Sequence, residues 1–573
     1  FYMKLSFSCN SAELFSVEEI CDQLEIYGYS GVELSFQRGQ FDPENIMSDR
    51  IIELANYFRD SSVKPICIST ATAKFLSEVP HEPSLINLDT DKRSKRSNLI
   101  LKGILLAEKI GIPLVSFQSG YIRDEHIKST RKMLVNLLVK EIKGLLKSIA
   151  ANVKLVIEPE PGMFIETIDQ ANDLIKQVND DRFGLHLDIG HVFCTEKDYI
   201  KAIREQAKKT LYIHMADIRD GFNLKYKTCK ISEVKKILTN SKIINSTLFD
   251  VGDGDIFIFA TRDKKYILKD SGQLLSEEFE FCIQNVVIID KEYLSSKKTK
   301  ELDLEIHAYL DSLSGISYER ALKAYNAVAT LKLGNKEVQP FINEVICNTL
   351  RGKVHYHDLL GNGSIDYPGV LSALIDSGYD GYCTIELYNH APLWRTVAPQ
   401  SIRYILAAMT RHFGWNPDDF GHIDHTKVVA PYVRVADAKL CPNGTLSTLY
   451  DFRLCQPNTV ALSSASLHSL EHCLLAILPD LLPGFLMVGP MGCRTGMYIV
   501  TSIPLHKNYV KNQLYKALQA IEILKSVPYQ SEKTCGMADD HDLSTAQMIA
   551  KKVLNSLFFL FIITKKIHTT EII

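Results

Sequence analysis

Val156-Ile157-Glu158-Pro159-Glu160-Pro161-Gly162 is an apolar, β-branched run that stops on a carboxylate and then breaks on proline and glycine. The same ending recurs in Leu187-Asp188-Ile189-Gly190-His191, in Ile213-His214-Met215-Ala216-Asp217 and in Gly381-Tyr382-Cys383-Thr384-Ile385-Glu386-Leu387. A carboxylate that closes an apolar strand must be hydrated, paired or metal-bound, because leaving it unpaired there is costly. Working outward, strand candidates fall at 4–9, 31–36, 64–69, 113–118, 154–159, 184–189 and 211–217, with helical periods between them at 16–28, 97–110, 130–150 and 166–178. This alternation predicts a parallel sheet covered by helices. Seven strands need one more pair to close a ring, and a helix from about 366 to 378 followed by the strand at 381–387 supplies it. The expectation is an α/β fold, a TIM-type (β/α)8 barrel formed by 1–222 and closed by 351–412, near the ~250 residues usual for that architecture.

The stretch 223–350 is too long for a plain loop and has strand-like and helical patterns of its own, at 256–269 and 300–331. It is read as an inserted domain of unknown role, emerging on the C-terminal face where barrel active sites lie. Beyond about 412, Trp415-Asn416-Pro417 breaks the helix and a new alternation begins, with one clear helix around 466–478. Residues 413–573 are expected to form a separate α+β domain.

Composition narrows the chemistry. The chain of 573 residues is 46% hydrophobic, enough for several cores, and its 65 basic and 68 acidic residues leave a net charge of -3. Nothing there attracts nucleic acid or a membrane surface, so small-molecule substrates are expected. Thirteen cysteines, scattered and odd in number, point to reduced thiols and a cytoplasmic location. Phe1-Tyr2-Met3-Lys4-Leu5 leads straight into a strand without a basic and then apolar leader, so no signal peptide is expected and Met3 is the expected start. The apolar run at 557–563 is shorter than the ~20 residues that span a bilayer, and reads as the buried end of a helix or a tail.

Four strand ends of one barrel converge on one mouth, where carboxylates with an imidazole suit Mn2+, Mg2+, Co2+ or Zn2+. Such a cation would polarise a carbonyl and steady an enediolate while a carboxylate moves a proton. In this order the residues resemble the xylose isomerase-like superfamily, which includes tagatose-type epimerases, hydroxypyruvate isomerase, inosose-processing enzymes and endonuclease IV. The resemblance implies a metal on Glu158, Asp188, His214 and Glu386, the two glutamates as acid and base, and His191 touching a substrate oxygen. Its DNA-repair branch implies three zinc ions, with histidines after the third and fourth strands. Those strands end here in Ile68-Ser69-Thr70 and Phe117-Gln118-Ser119, although His357 falls where a third-metal ligand would lie and His355 where an aspartate is expected. The incomplete set and the neutral charge balance favour a sugar isomerase or epimerase over cleavage of abasic DNA.

In the last third, Leu467-His468-Ser469-Leu470-Glu471-His472-Cys473 puts two imidazoles at i and i+4 on one helix face, able to grip one ion, with Glu471 beside them as a candidate base. His-x-x-Glu-His is also the signature of inverted zinc peptidases, so alone it does not fix the reaction. Pro490-Met491-Gly492-Cys493-Arg494-Thr495-Gly496 adds a cysteine in a tight turn, Thr534-Cys535-Gly536 a possible third ligand, and Asp424-His425-Thr426, Ala430-Pro431-Tyr432-Val433-Arg434 and Tyr450-Asp451-Phe452-Arg453 lie upstream. This set resembles LuxS, the S-ribosylhomocysteine lyases, along the whole catalytic domain.

The LuxS resemblance implies Fe2+, or Zn2+ or Co2+, on His468, His472 and Cys535, with a water or substrate oxygen in the fourth position. It implies Glu471 and Cys493 as proton carriers, His425, Arg453 and Arg494 at the substrate, and an active site shared across a homodimer. The product set would be homocysteine and 4,5-dihydroxypentane-2,3-dione, precursor of the autoinducer-2 signal. Arg494 and turn amides are expected to lower the Cys493 pKa. Two positions depart from the family pattern: Phe420 stands where a serine is usual and Met487 where an aspartate is usual. They keep open the alternative of a non-catalytic fused binding or scaffold protein.

Overall fold

The computed structural model describes residues 3–220 except 13–14, 73–74, 78–80, 127 and 150–151, five strands between 226 and 289, and residues 353–556 except 442–444. The helical pattern expected at 300–331 and the apolar run at 557–563 lie outside the described residues.

Eight short strands form the barrel: β1 (Lys4–Ser8), β2 (Gly31–Ser35), β3 (Lys64–Ser69), β4 (Leu114–Phe117), β5 (Lys154–Ile157), β6 (Phe183–Asp188), β7 (Thr210–Met215) and β8 (Tyr382–Ile385). All neighbours are parallel, and β8 closes the ring between β7 and β1. The helices over it include α1 (Val17–Tyr27), α2 (Ser48–Asp60), α3 (Thr90–Ile110), α4 (Arg131–Leu146), α5 (Ile168–Val178), α6 (Ile189–Thr195) and α7 (Tyr199–Gln206). Local chemistry sets their ends: Ser16 and Glu19 form a capping box at α1, Thr167 and Gln170 another at α5, and Gly28 (φ 94°) stops α1 in the left-handed region. Helix α3 begins seven residues before its apolar period does, because Asp89 caps it at Asp91 and Lys92.

After β7 the chain leaves as a strand at Asp217–Asp220, which pairs antiparallel with the returning strand Lys353–Asp358. Between these lie five antiparallel strands in one sheet, and the stretch expected at 256–269 supplies two of them, Asp255–Ala260 and Lys265–Asp270. Asp217 clasps the return: its carboxylate accepts from the N–H groups of Ile218, Gly361 and Ile365, and a Cβ on Gly363 would lie 2.1 Å from it. Burial lifts its pKa to about 6 despite those bonds. Asp217 therefore serves the turn, although its place in the sequence resembles that of the mouth carboxylates.

By its internal packing the chain divides into two units, one of Met3–Tyr367 with Asp376–Ile402 and one that runs chiefly from Arg403 onward. Helices α8 (Tyr367–Asp376) and α9 (Trp394–Thr410) lie at this division. The second unit holds an antiparallel sheet of β9 (Tyr432–Leu440), β10 (Leu446–Arg453), β11 (Phe485–Pro490) and β12 (Gly496–Thr501), in the order β9-β10-β12-β11. With it pack α10 (Ser464–Leu481), α11 (Lys507–Glu522) and α12 (Leu543–Leu554), around Tyr450, Phe452, Leu470, Leu474, Leu514 and Ala546. Among the described residues no helix is long and apolar enough to cross a membrane, and no disulfide joins the cysteines.

Candidate functional site

At the C-terminal ends of β5 to β8, Glu158, Asp188, His214 and Glu386 bring one ligand atom each to within 4.8 Å of one another, all four buried. Nδ1 of His214 lies 3.2 Å from Glu386, 3.4 Å from Glu158 and 3.9 Å from Asp188. Its Nε2 is 2.8 Å from the buried Glu33 carboxylate, which also accepts from Tyr212 and Ser8. Asp188 spends Oδ1 as the N-cap of α6, on the N–H of His191. Gln118 donates to Glu158 and Glu160, and Asn10 to Glu386.

The charges are coupled. Burial alone would keep His214 neutral, but Glu33, Glu386 and Glu158 push its pKa well above the usual imidazole value. Burial raises Glu158, whereas His214 and His357 outweigh burial at Glu386 and hold it well below the usual carboxylate range. His214 Nδ1 and Asp188 Oδ2 make no hydrogen bond although both are enclosed. Three buried carboxylates around such atoms fit a divalent cation, which would offset the desolvation penalty of several kcal/mol per ion.

His191 lies beside the four, Nδ1 3.0 Å from Pro159 O and Nε2 3.2 Å from Glu160. His357 sits 3.3 Å from Glu386. Sequence reasoning passed over Glu33, Gln118 and Asn10. A lone charge inside Gly31-Val32-Glu33-Leu34 was the available signal for the first of these.

In the second unit, His468 and His472 project from α10, and Cys535 joins them from the loop before α12. His541, which the sequence reading did not single out, brings a ring nitrogen to within 4.8 Å of the other three donor atoms. Cys535 Sγ lies 3.4 Å from His468 Nε2 and 3.6 Å from His541 Nε2. His468 Nδ1 faces Asp540 O at 2.8 Å and His472 Nδ1 faces Pro528 O at 2.9 Å. A carbonyl only accepts, so both rings carry their proton on Nδ1 and turn a lone pair inward. Imidazole lone pairs facing a thiol are the donor set of a zinc- or iron-type ion. Glu471 is half-buried on the same helix, one residue before His472.

Cys493 is exposed in the turn between β11 and β12. Its Sγ lies 3.0 Å from Thr495 Oγ1 and 3.6 Å from Arg453 Nη1. Arg453 is gripped through two nitrogens by the buried Asp451, at 3.1 and 2.8 Å, and donates to Thr495 at 2.6 Å. Burial would raise the Cys493 pKa, but the Thr495 hydrogen bonds and the Arg453 charge outweigh it and bring the thiol below its usual value. The cation within reach is thus Arg453, whereas Arg494 is exposed and in the left-handed region at φ 58°.

Cys493, Thr495, Arg453 and the exposed His425 line one cavity of about 310 Å³, with Pro457 and Asn458 on its wall. None of His468, His472, Cys535 or His541 lines it. Phe420 packs against the core of this unit, and Met487 is 49% exposed on β11.

The S-ribosylhomocysteinase (LuxS) family matches residues 419–559, and the xylose isomerase-like TIM barrel family matches residues 21–255. An S-ribosylhomocysteine lyase from Thermus thermophilus is 44% identical over 135 residues, 23% of this chain and 86% of that protein. One from Helicobacter pylori is 42% identical over 136 residues, covering 88% of that protein and 23% of this chain. Among solved structures, the IOLI protein with a bound zinc atom aligns at 15% identity and a TM-score of 0.40, over 72% of this chain and 99% of that one. An L-ribulose 3-epimerase aligns at 13% identity and a TM-score of 0.39, over 72% and 95%.

Proposed function

The chain belongs, through its C-terminal part, to the S-ribosylhomocysteinase (LuxS) family, and from that premise we propose that it cleaves S-ribosylhomocysteine to homocysteine and 4,5-dihydroxypentane-2,3-dione. The observation that carries the reading is the activated thiol: Cys493 is held below its usual pKa in a cavity with Arg453 and His425. The reaction moves a carbonyl along the ribose by successive proton transfers, and β-elimination then breaks the thioether C–S bond and releases homocysteine as a thiolate that takes up a proton. Cys493 Sγ takes and returns one proton, and the Glu471 carboxylate carries the other. Arg453, held by Asp451, and His425 grip the substrate, and the exposed Arg494, next to Cys493 in the chain, is a further candidate for substrate binding. A divalent ion on His468, His472 and Cys535 would supply, when bound, the Lewis acid that stabilises each enediolate.

Two copies would complete the site. The thiol cavity contains none of the metal donors, and Leu486 (60% exposed), Met487 and Tyr498 are exposed apolar side chains on the adjacent strands β11 and β12. Such exposed side chains suit a homodimer interface.

For the barrel we propose a divalent-metal isomerase or epimerase acting on a ketose or hydroxy-keto acid, with Glu158 and Glu386 moving the proton and His191 at a substrate oxygen. The buried cluster of carboxylates with His214 supports it.

The test is release of free thiol from S-ribosylhomocysteine by the full chain loaded with Fe2+ or Co2+. No release by metal-replete protein would reject the lyase reading and favour a binding or scaffold role, with Phe420 and Met487 as the cause. For the barrel, cleavage of abasic DNA without turnover of any sugar would reject the isomerase.

A further inference from the structure

We propose that a cavity beside the barrel mouth, lined by Arg96, Ser84 and Gln118, takes the carboxylate and the neighbouring hydroxyl of the barrel's substrate, which is therefore a hydroxy-keto acid. This rests on the isomerase or epimerase reading of the barrel and selects the acid over the neutral ketose. Arg96 stands in the second turn of α3 and is 5% exposed. Its Nε donates to Pro83 O at 2.9 Å and its Nη1 to Thr70 O at 3.3 Å, whereas the enclosed Nη2 meets no acceptor. Glu82 reaches it only through space, because the Glu82 carboxylate is taken up by Arg123 at 3.2 Å and by the Ser84 and Asn87 nitrogens. Burial wins, and the Arg96 pKa falls to about 10. A buried cation without a close partner is costly, and a ligand that brings the missing anion removes that cost.

Two more enclosed polar atoms without a partner, Ser84 Oγ and Gln118 Oε1, belong to residues that line the same cavity. Buried polar atoms are nearly always satisfied, so three at one place point to a ligand. The cavity has about 10 Å³ of water-accessible space, room for one oxygen of a carboxylate group whose other atoms lie toward the mouth. Its chemistry is mixed: the guanidinium only donates, the hydroxyl can donate, and the amide oxygen only accepts. A carboxylate oxygen answers the first two, and the hydroxyl on the next carbon gives its proton to the third. His81 on the wall adds no charge, since burial together with Arg96 and Arg123 presses its pKa down to about 3.

The cavity is placed for the reaction. Thr70 follows β3 and Gln118 follows β4, on the C-terminal face of the ring. Gln118 Nε2 is committed elsewhere, donating to Glu158 at 3.0 Å and to Glu160 at 2.9 Å. An acid anchored through its first two carbons therefore presents the next ones to Glu158, the proposed proton carrier. A neutral ketose of the same length leaves Arg96 Nη2 and Ser84 Oγ without the anion that both can meet.

The experiment is calorimetric titration of the Mn2+-loaded full chain with D-erythronate and with erythritol, which differ only in a carboxylate in place of one hydroxymethyl group. The acid is expected to bind at least about tenfold more tightly, as charge-assisted hydrogen bonds allow. Arg96→Met should abolish that preference. A preference supplied by the metal ion alone would survive in Arg96→Met and overturn the proposal. Equal binding of acid and polyol by the wild-type chain would overturn it too, leaving the cavity to water, while the isomerase or epimerase reading stands. Mn2+ uptake is measured first: if Glu158→Gln leaves it unchanged, the barrel reading falls and the proposal with it. Because Arg96 also holds two backbone carbonyls, Ser84→Ala is titrated alongside, its hydroxyl holding no other group. Its acid-to-polyol ratio should fall several-fold, and an unchanged ratio in Ser84→Ala would overturn the proposal whether or not Arg96→Met folds.

Discussion

The two donor clusters of this chain assemble in opposite ways. In the barrel, Glu158, Asp188, His214 and Glu386 come from the ends of four strands, and all are buried. In the lyase domain two donors share one helix, the other two come from one loop, and His468, Cys535 and His541 are half-buried. The first set is oxygen-rich and held by a closed ring of backbone hydrogen bonds, so it is formed before any ion arrives. The second is rich in nitrogen and sulfur, and half of it depends on how a loop settles. Hard cations such as Mn2+ or Mg2+ suit the former and softer ones such as Fe2+, Zn2+ or Co2+ the latter.

The sharpest way to break this contrast is to delete a ligand on one side only. Cys535→Ala or His468→Ala is expected to weaken metal binding in the C-terminal unit sharply and to abolish thiol release, while the barrel keeps its ion. Metal content per chain checks it: stoichiometric Fe2+ or Zn2+ retained in lyase sites of purified Cys535→Ala would contradict the assignment.

Metal binding can next be separated from proton transfer. Cys493→Ala and Glu471→Gln should keep the ion and lose about 10²–10⁴-fold in thiol release, the usual contribution of a general acid or base. Full homocysteine release by metal-replete Cys493→Ala would end the proton-carrier role. Neither change should alter barrel turnover.

The contrast also explains what could be read in advance. His468 and His472 were legible because helical spacing puts i and i+4 on one face, and the barrel carboxylates because each ends an apolar strand. His541 was not, since a loop residue carries no periodicity and its place in the cluster goes with a contact to Ser469, 72 positions away. Arg453 rather than Arg494 reaches Cys493 because neighbouring strands β10 and β12 pair Arg453 with Gly496. Sequence adjacency favoured the wrong guanidinium. Asp217 shows the converse: a carboxylate at a strand end can be spent on a turn.

A smaller effect tests the barrel's preformed character. Glu33 accepts from His214 Nε2 and thereby leaves Nδ1 to face the carboxylates. Glu33→Gln keeps the shape but removes the charge, and loss of such an outer partner typically costs ~10–100-fold in metal affinity. Mn2+ titration of the variant, with the lyase site unaffected as internal control, should show a weakening of that order. An unchanged Mn2+ affinity would mean that the strand ends alone orient His214.

The smallest expected effect is at Thr495, and it asks whether the lyase thiol is tuned by one hydroxyl or by the Arg453 charge. Thr495 Oγ1 accepts from Arg453 and so has its own proton to offer Cys493 Sγ. A donor to the thiolate favours the charged form and lowers the pKa. Thr495→Val removes that donor while Asp451 keeps Arg453 in place through two bonds. The pH midpoint for alkylation of Cys493 by iodoacetamide should therefore move upward, toward but not reaching that of an ordinary thiol, because the Arg453 charge remains. At a fixed pH below the midpoint the variant holds less thiolate and reacts more slowly, whereas well above it the two proteins react alike. Arg453 Nη1 loses its oxygen acceptor and keeps only the Cys493 sulfur, a cost of about 1–3 kcal/mol if water cannot replace it, which thermal unfolding of the variant measures separately. A midpoint that stays put would assign the tuning to Arg453, and one that falls would show that the hydroxyl had been accepting from the thiol.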